Sequence, residues 1–135
     1  MVERMTKKSW YIGKKTEKLA YNELVKYGFS AIRTDVDDAG IDIIAIKDNK
    51  CYLIEVKGTY RTEISKSLIK QRFNKEQRMK YTKLKHEFNK NIRTDIILFF
   101  FFKYHNKWTY NTYLYDDIND TFIKIELEKF IYNKT

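Results

Sequence analysis

Apolar positions recur along this chain with two different periods, and the switches between them mark out its elements. From Trp10 to Tyr27, the residues Ile12, Leu19, Ala20, Leu24 and Tyr27 fall on one helical face. Ser9 stands before this run as an N-cap, and Gly28 stands after it as a stop. Phe29 to Arg33 reads as a short strand and Thr34 to Gly40 as an acidic loop. The stretch GIDIIAIKDNKCYLIEVKG, Gly40 to Gly58, is two apolar strands meeting at a polar turn. Thr59 to Lys70 follows no single period. Phe73 to Asn89 is helical, with Phe73, Gln77, Tyr81, Leu84 and Phe88 along one face. The unbroken apolar run Ile96 to Phe102, inside Thr94 to Lys103, is the mark of a strand buried on both faces. His105-Asn106 makes a turn and Lys107 to Tyr115 the next strand. From Thr121 to Thr135 a strand running into a short helix is expected, although both periods fit poorly. This order predicts an α/β fold, a mixed β-sheet flanked by α-helices.

The hairpin carries the first chemistry. With its turn centred on Asp48-Asn49, Lys47 pairs with Lys50, and the same register puts Asp42 opposite Glu55. Side chains alternate along a strand, so Lys57 shares a face with Glu55. Two carboxylates directly opposed destabilise a ladder unless something offsets their repulsion. A divalent cation such as Mg²⁺ does this, because hard cations take carboxylate oxygens. A lysine beside them stabilises negative charge on a substrate.

Charge then narrows the partner. The chain has 135 residues, 27 Lys and Arg against 18 Asp and Glu, and a net charge of +9. A single domain over residues 1–135 is expected, with residues 1–9 a flexible basic arm. Between Arg61 and Arg93 stand eleven basic residues and three acids, Glu63, Glu76 and Glu87. That segment's +8 leaves +1 for the rest. A solvated helix face normally carries compensating acids, so the asymmetry points to a polyanion, and to phosphates in particular. The expected contacts are Lys70, Arg72, Lys75 and Arg78, with Lys14 and Lys15 on the first helix and Arg33 at a strand end; Lys7 and Lys8 extend the set. The single Cys51 has no partner for an internal disulfide, which fits an intracellular setting. No signal-peptide core is visible, and Ile96 to Phe102 is too short to span a bilayer. One cysteine and the distant His86 and His105 exclude a zinc site.

At this point the chain resembles the PD-(D/E)XK nuclease superfamily. That signature is an acid at the start of one strand and acid-x-Lys on the next, here Asp42 and Glu55-Val56-Lys57. Within the superfamily it looks most like archaeal Holliday junction resolvases, from about Gly13 to Tyr110. The likeness includes a helix bearing Glu17, the run GFSAIR, DIIA, LIEVK, a later helix with NKEQ, and a strand pair ending in Trp108. Residues 111–135 are not matched. Ile41 replaces the signature proline, and the acidic Thr34 to Ala39 replaces the resolvases' serine-containing loop, which puts junction specificity in question.

The resemblance implies a restriction-endonuclease-like fold and a Mg²⁺-dependent DNA endonuclease, with Mn²⁺ able to substitute. Asp42 and Glu55 would be metal ligands, with the Val56 carbonyl assisting. Lys57 would orient the attacking water or stabilise the phosphorane. Glu17 lies near the buried helix stripe, and two roles stay open for it: a fourth group at the metals, or an exposed acid paired with a lysine one turn away. Gly13, one turn earlier, would allow close approach of a backbone. Gln77 interrupts an apolar face, either to support the site or as a boundary residue, while Tyr81 reads as core. Asp37 and Asp38 read as loop acids. Rival readings are a restriction or repair nuclease and a non-catalytic DNA-binding module on the same fold. A homodimer is expected, because paired incisions need two sites and the aromatic strands from Phe99 to Tyr115 exceed what one sheet face must bury. The alternative is that these aromatics fill the monomer core.

Overall fold

A computed structural model describes residues 7–34 and 40–132. Residues 1–6 of the expected basic arm and the loop acids Asp37 and Asp38 lie outside the described residues. Six strands form one sheet in sequence order: β1 (Ser30–Arg33), β2 (Ile43–Lys47), β3 (Lys50–Gly58), β4 (Arg93–Tyr104), β5 (Lys107–Asp116) and β6 (Thr121–Ile125). Every neighbouring pair is antiparallel except β3 with β4. A parallel pair needs a crossover. Here the crossover is α2 (Lys66–Arg72) and α3 (Lys75–Phe88), while α1 (Lys7–Lys26) precedes the sheet and α4 (Leu127–Tyr132) follows it. Among the described residues, no helix is long and apolar enough to cross a membrane.

Alternation along the central strands divides the core in two. Tyr52, Ile54 and Val56 of β3, with Phe99 and Phe101 of β4, face Ala20 and Leu24 of α1. Cys51 and Leu53, with Ile96, Leu98 and Phe100, face Leu68, Phe73 and Tyr81 of α2 and α3. Strand β4 is therefore unbroken in its apolar run from Ile96 to Phe102, because both faces of its middle are covered. The aromatic surplus is absorbed the same way. Phe99, Phe100 and Phe101 are almost wholly buried, and Tyr113 and Tyr115 nearly so. These five fill the core of one chain, whereas Phe102, Trp108 and Tyr110 are half-buried and Tyr104 is 57% exposed.

Local chemistry accounts for the boundaries. Helix α1 ends in a Schellman arrangement: the Phe29 N–H donates to the Leu24 carbonyl and the Gly28 N–H to that of Val25. Gly28 takes the positive φ of 87° that this requires. At the other end the expectation fails, since the helix is already formed at Lys7 and Ser9 lies inside it. The β2–β3 turn has φ of 51° at Asp48 and 64° at Asn49. Positive φ at both central residues matches the twist of the flanking strands. His105 and Asn106 repeat it between β4 and β5, with φ of 48° and 61°. The segment without a period holds α2, capped by the Ser65 hydroxyl accepting from the Leu68 N–H; Asn74 caps α3 by accepting from the Gln77 N–H.

Candidate active site

The hairpin register sets the site. Lys47 pairs with Lys50 and Ile43 with Ile54, so the next pair outward is Asp42 with Glu55. The Asp42 N–H donates to the Ile54 carbonyl at 3.2 Å, continuing the ladder. The Asp42 carboxylate accepts from the Val56 N–H at 2.7 Å. Behind it, the Thr34 N–H donates to the Asp42 carbonyl, and the Thr34 hydroxyl donates to the Ile41 carbonyl. Asp42 is thus held by the end of β1 as well as by β3.

Glu55 is 4% exposed. Burial in an apolar layer disfavours its charged form, and the neighbouring Asp42 carboxylate adds repulsion and a hydrogen bond between the two side chains. Together they push the Glu55 carboxyl up to about 8, against a smaller opposing pull from Lys57. Its other partners are specific. The Tyr81 hydroxyl donates to Glu55 Oε2 at 2.6 Å and lies 3.3 Å from the Ile54 carbonyl. The Lys57 ammonium stands 3.4 Å from Glu55 Oε1, and its side chain is 19% exposed.

Gln77 closes this arrangement from α3. With its amide oriented to satisfy both neighbours, its oxygen accepts from Lys57 Nζ at 3.3 Å and its nitrogen donates to the Arg72 carbonyl at 3.1 Å. The Arg72 guanidinium in turn donates to the Gly58 carbonyl at 3.0 Å. Gln77 and Tyr81 are one turn apart, so a single helix face presents one group to Lys57 and the next to Glu55. Tyr81 is a core residue, as its spacing suggested, and it also positions a carboxylate. Sequence reasoning missed that second role, although its Gln77-x-x-x-Tyr81 spacing carried the signal.

Glu17 is half-buried on α1, next to Thr16. Among the described residues, no three His, Cys, Asp or Glu side chains converge as a metal cage. The close helix approach expected at Gly13 occurs instead at Gly58, where a Cβ would stand 2.8 Å from Ile12 and 3.0 Å from Thr16; a Cβ on Gly13 would meet nothing.

The donor set nevertheless suits Mg²⁺. Two carboxylates that repel each other in a buried ladder are the oxygen donors this ion takes, and it commonly uses only one or two of them, keeping waters for the rest. The cost of holding Glu55 beside Asp42 is what a cation between them would remove.

The basic residues separate into two groups. Arg78 is buried, and its guanidinium donates to the Phe73 carbonyl at 2.7 Å and the Lys70 carbonyl at 3.1 Å, with Asp120 at 3.0 Å. Those bonds fasten α2 and α3 to the β5–β6 turn, so Arg78 is withdrawn from the phosphate-contacting set. Lys70 is exposed and 3.8 Å from Asp120. Lys14, Lys15, Arg72 and Lys75 are exposed, and Arg33 is half-buried in register with Ile43. Lys80, not singled out beforehand, lies over Gly40, two residues before Asp42.

No family model matches the chain. A UPF0102 protein of Clostridium botulinum is 31% identical over 107 residues, which cover 74% of this chain and 88% of that protein. Among solved structures, a Holliday junction resolvase of the archaeal hyperthermophile Archaeoglobus fulgidus is similar with a TM-score of 0.53. It covers 73% of this chain and 70% of that one at 19% identity. That likeness is one of fold: the mixed sheet flanked by helices is restriction-endonuclease-like, and the resemblance first carried by Asp42 and Glu55-Val56-Lys57 extends to the architecture.

Proposed function

Because the chain belongs to the UPF0102 family and folds like a junction resolvase, we propose that it is a metal-dependent DNA endonuclease, structure-selective and resolvase-like. The observation that carries this reading is the opposition of half-buried Asp42 and buried Glu55, with Lys57 3.4 Å from Glu55 on the same face. A protein that only binds DNA has no use for two carboxylates whose repulsion costs stability.

Asp42, Glu55 and the Val56 carbonyl would hold Mg²⁺, or Mn²⁺ in its place, with Glu17 reaching from α1 as a further ligand. Bound there, the ion would lower the pKa of a water and neutralise charge on the phosphodiester. The protein's own groups have separable tasks. Tyr81 fixes the orientation of Glu55 through its hydroxyl. Gln77 fixes Lys57 through its amide. Lys57 supplies positive charge beside the scissile phosphate, where it favours the transition state over the bound substrate. Lys14, Lys15, Arg33, Lys70, Arg72 and Lys75 supply the phosphate contacts that hold the duplex.

Paired incisions need two such sites, which a two-fold homodimer provides. Ile32 (69% exposed) and Ile46 (45%) on the neighbouring strands β1 and β2 are apolar residues open to such contact. The test is cleavage with Mg²⁺ of four-way junction, flap, single-stranded and linear duplex DNA. Preference for a branched substrate supports the resolvase-like reading. Equal cleavage of linear duplex favours a restriction or repair type, and no cleavage of any substrate refutes the proposal.

A further inference from the structure

Strands β4 and β5 outrun β3 at the end of the sheet that carries Glu55 and Lys57. Pairing between β3 and β4 ends at Gly58 with Phe101, whereas β4 and β5 stay paired as far as Tyr104 with Lys107. The hairpin closes on His105 and Asn106, whose positive φ suits the twist of its strands. A two-stranded ribbon therefore projects past the end of β3. Its base is anchored, since Trp108 packs against the core layer under α1 and Lys103 Nζ lies 4.7 Å from its ring centre.

Register decides which face of the ribbon continues the active site. Lys57 pairs with Phe100, and Phe100 lies in the core layer of Leu53 and Tyr81. Alternation puts Phe102 and Tyr104 on that same face. Across the ladder Thr109 pairs with Phe102 and Lys107 with Tyr104, so both share it. Phe102 is half-buried, whereas Tyr104 (57% exposed), Thr109 and Lys107 are open to solvent. The His105 ring stands edge-on to that of Tyr104, with centroids 4.2 Å apart. Tyr104 is four residues beyond Phe100, about 13 Å along an extended strand.

Charge says what this face meets. From Ile96 to Tyr115 there is no Asp or Glu, while Lys103 and Lys107 flank the turn. Two copies of the ribbon meeting about a two-fold axis would oppose like charges, so a second chain is a poor occupant. A two-stranded ribbon is narrow enough for the major groove of a duplex, where its lysines reach phosphates. At 3.4 Å per base pair, the offset from Lys57 spans about four base pairs. An aromatic ring there gains most where a duplex arm stops. The last base pair at a branch shows a face for stacking, which an unbroken duplex keeps covered.

We propose that the β4–β5 hairpin reads the branch in branched DNA: Lys107 contacts the backbone of one arm, and Tyr104 stacks on the base pair at the branch, about four base pairs from the scissile phosphate. The inference rests on the nuclease reading for the position of the cut, and its binding half is testable without cleavage.

The experiment measures binding of the full chain, in EDTA, to a four-way junction and to a linear duplex as long as two of its arms. Every duplex end is closed by a short loop, so that base-pair faces are open only at the branch. Tyr104→Ala is expected to weaken junction binding about tenfold and leave linear binding unchanged, which also shows that the variant is folded. Tyr104→Phe, which keeps the ring, should restore it. Lys107→Ala should weaken both DNAs alike. Unaltered junction affinity in Tyr104→Ala, an equal loss on both DNAs, or unaltered binding of both by Lys107→Ala overturns the proposal. Where the wild type cuts with Mg²⁺, incisions about four nucleotides from the branch support the spacing, and incisions at the branch itself overturn it. Tyr104-dependent junction binding by a protein that cuts no substrate would refute the nuclease reading and leave the hairpin its role. Cleavage with Tyr104-independent binding would refute the role of the hairpin alone.

Discussion

Replacing Glu55 by Gln should make the metal-free protein more stable at neutral pH while destroying its activity. The folded state keeps the Glu55 proton up to about pH 8, whereas the unfolded chain gives it up near 4.5. Between those values the folded state binds one more proton, so this group's contribution falls as pH rises. Each pH unit costs about 1.4 kcal/mol, which amounts to about 3 kcal/mol by pH 7. Glutamine has nearly the same shape, can accept from Tyr81 and donate to Asp42, and does not titrate. The variant should therefore match wild type near pH 5 and exceed it by about 10 °C in Tm at pH 7. Thermal unfolding followed by circular dichroism in EDTA, from pH 5 to 8, reads the difference curve, in which the other titrating groups cancel. Mg²⁺ should then raise the wild-type Tm increasingly with pH and leave Glu55→Gln unmoved. A difference curve flat in pH, or a variant less stable than wild type throughout, would refute the electrostatic account of Asp42 and Glu55.

Other expectations follow from particular contacts. Tyr81→Phe keeps the buried ring but removes the hydroxyl that favours ionised Glu55; stability should fall by about 1 kcal/mol and half-maximal activity should require more Mg²⁺, read from a metal titration of cleavage. Arg78→Ala should cost about 2–3 kcal/mol in denaturant unfolding, because it breaks charged hydrogen bonds, yet leave the salt dependence of DNA binding unchanged. Replacing Lys70, Arg72 and Lys75 together by Ala should flatten the slope of log affinity against log salt; an unchanged slope would turn that surface away from DNA. Sedimentation equilibrium should give twice 16.5 kDa for the homodimer, and 16.5 kDa throughout would exclude it.

The parts of the site readable from sequence were those set by local geometry. A two-residue turn with positive φ at Asp48 and Asn49 fixes one register, and that register puts Asp42 against Glu55 without any tertiary information. Gly28 was equally readable, since its left-handed conformation is a backbone requirement. What escaped depends on contacts distant in sequence. Arg78 looks like its basic neighbours until Asp120, forty-two residues on, comes beside it. The seven residues of α2 are too few to display a period, and their cap, Ser65, is one polar residue among several. The burial of Phe99, Phe100 and Phe101 was not foreseen because their number was weighed against one sheet face, and β4 has two covered faces.

Metal-dependent hydrolysis at Asp42 is the central property of the proposed enzyme. The decisive measurement is the rate of phosphodiester cleavage by wild type and Asp42→Asn with Mg²⁺, with and without excess EDTA, alongside DNA affinity for both. Cleavage by wild type alone, abolished by EDTA, with Asp42→Asn binding DNA at least as tightly, is the predicted result. Cleavage that survives EDTA, or an Asp42→Asn protein that cuts at the wild-type rate, would contradict it.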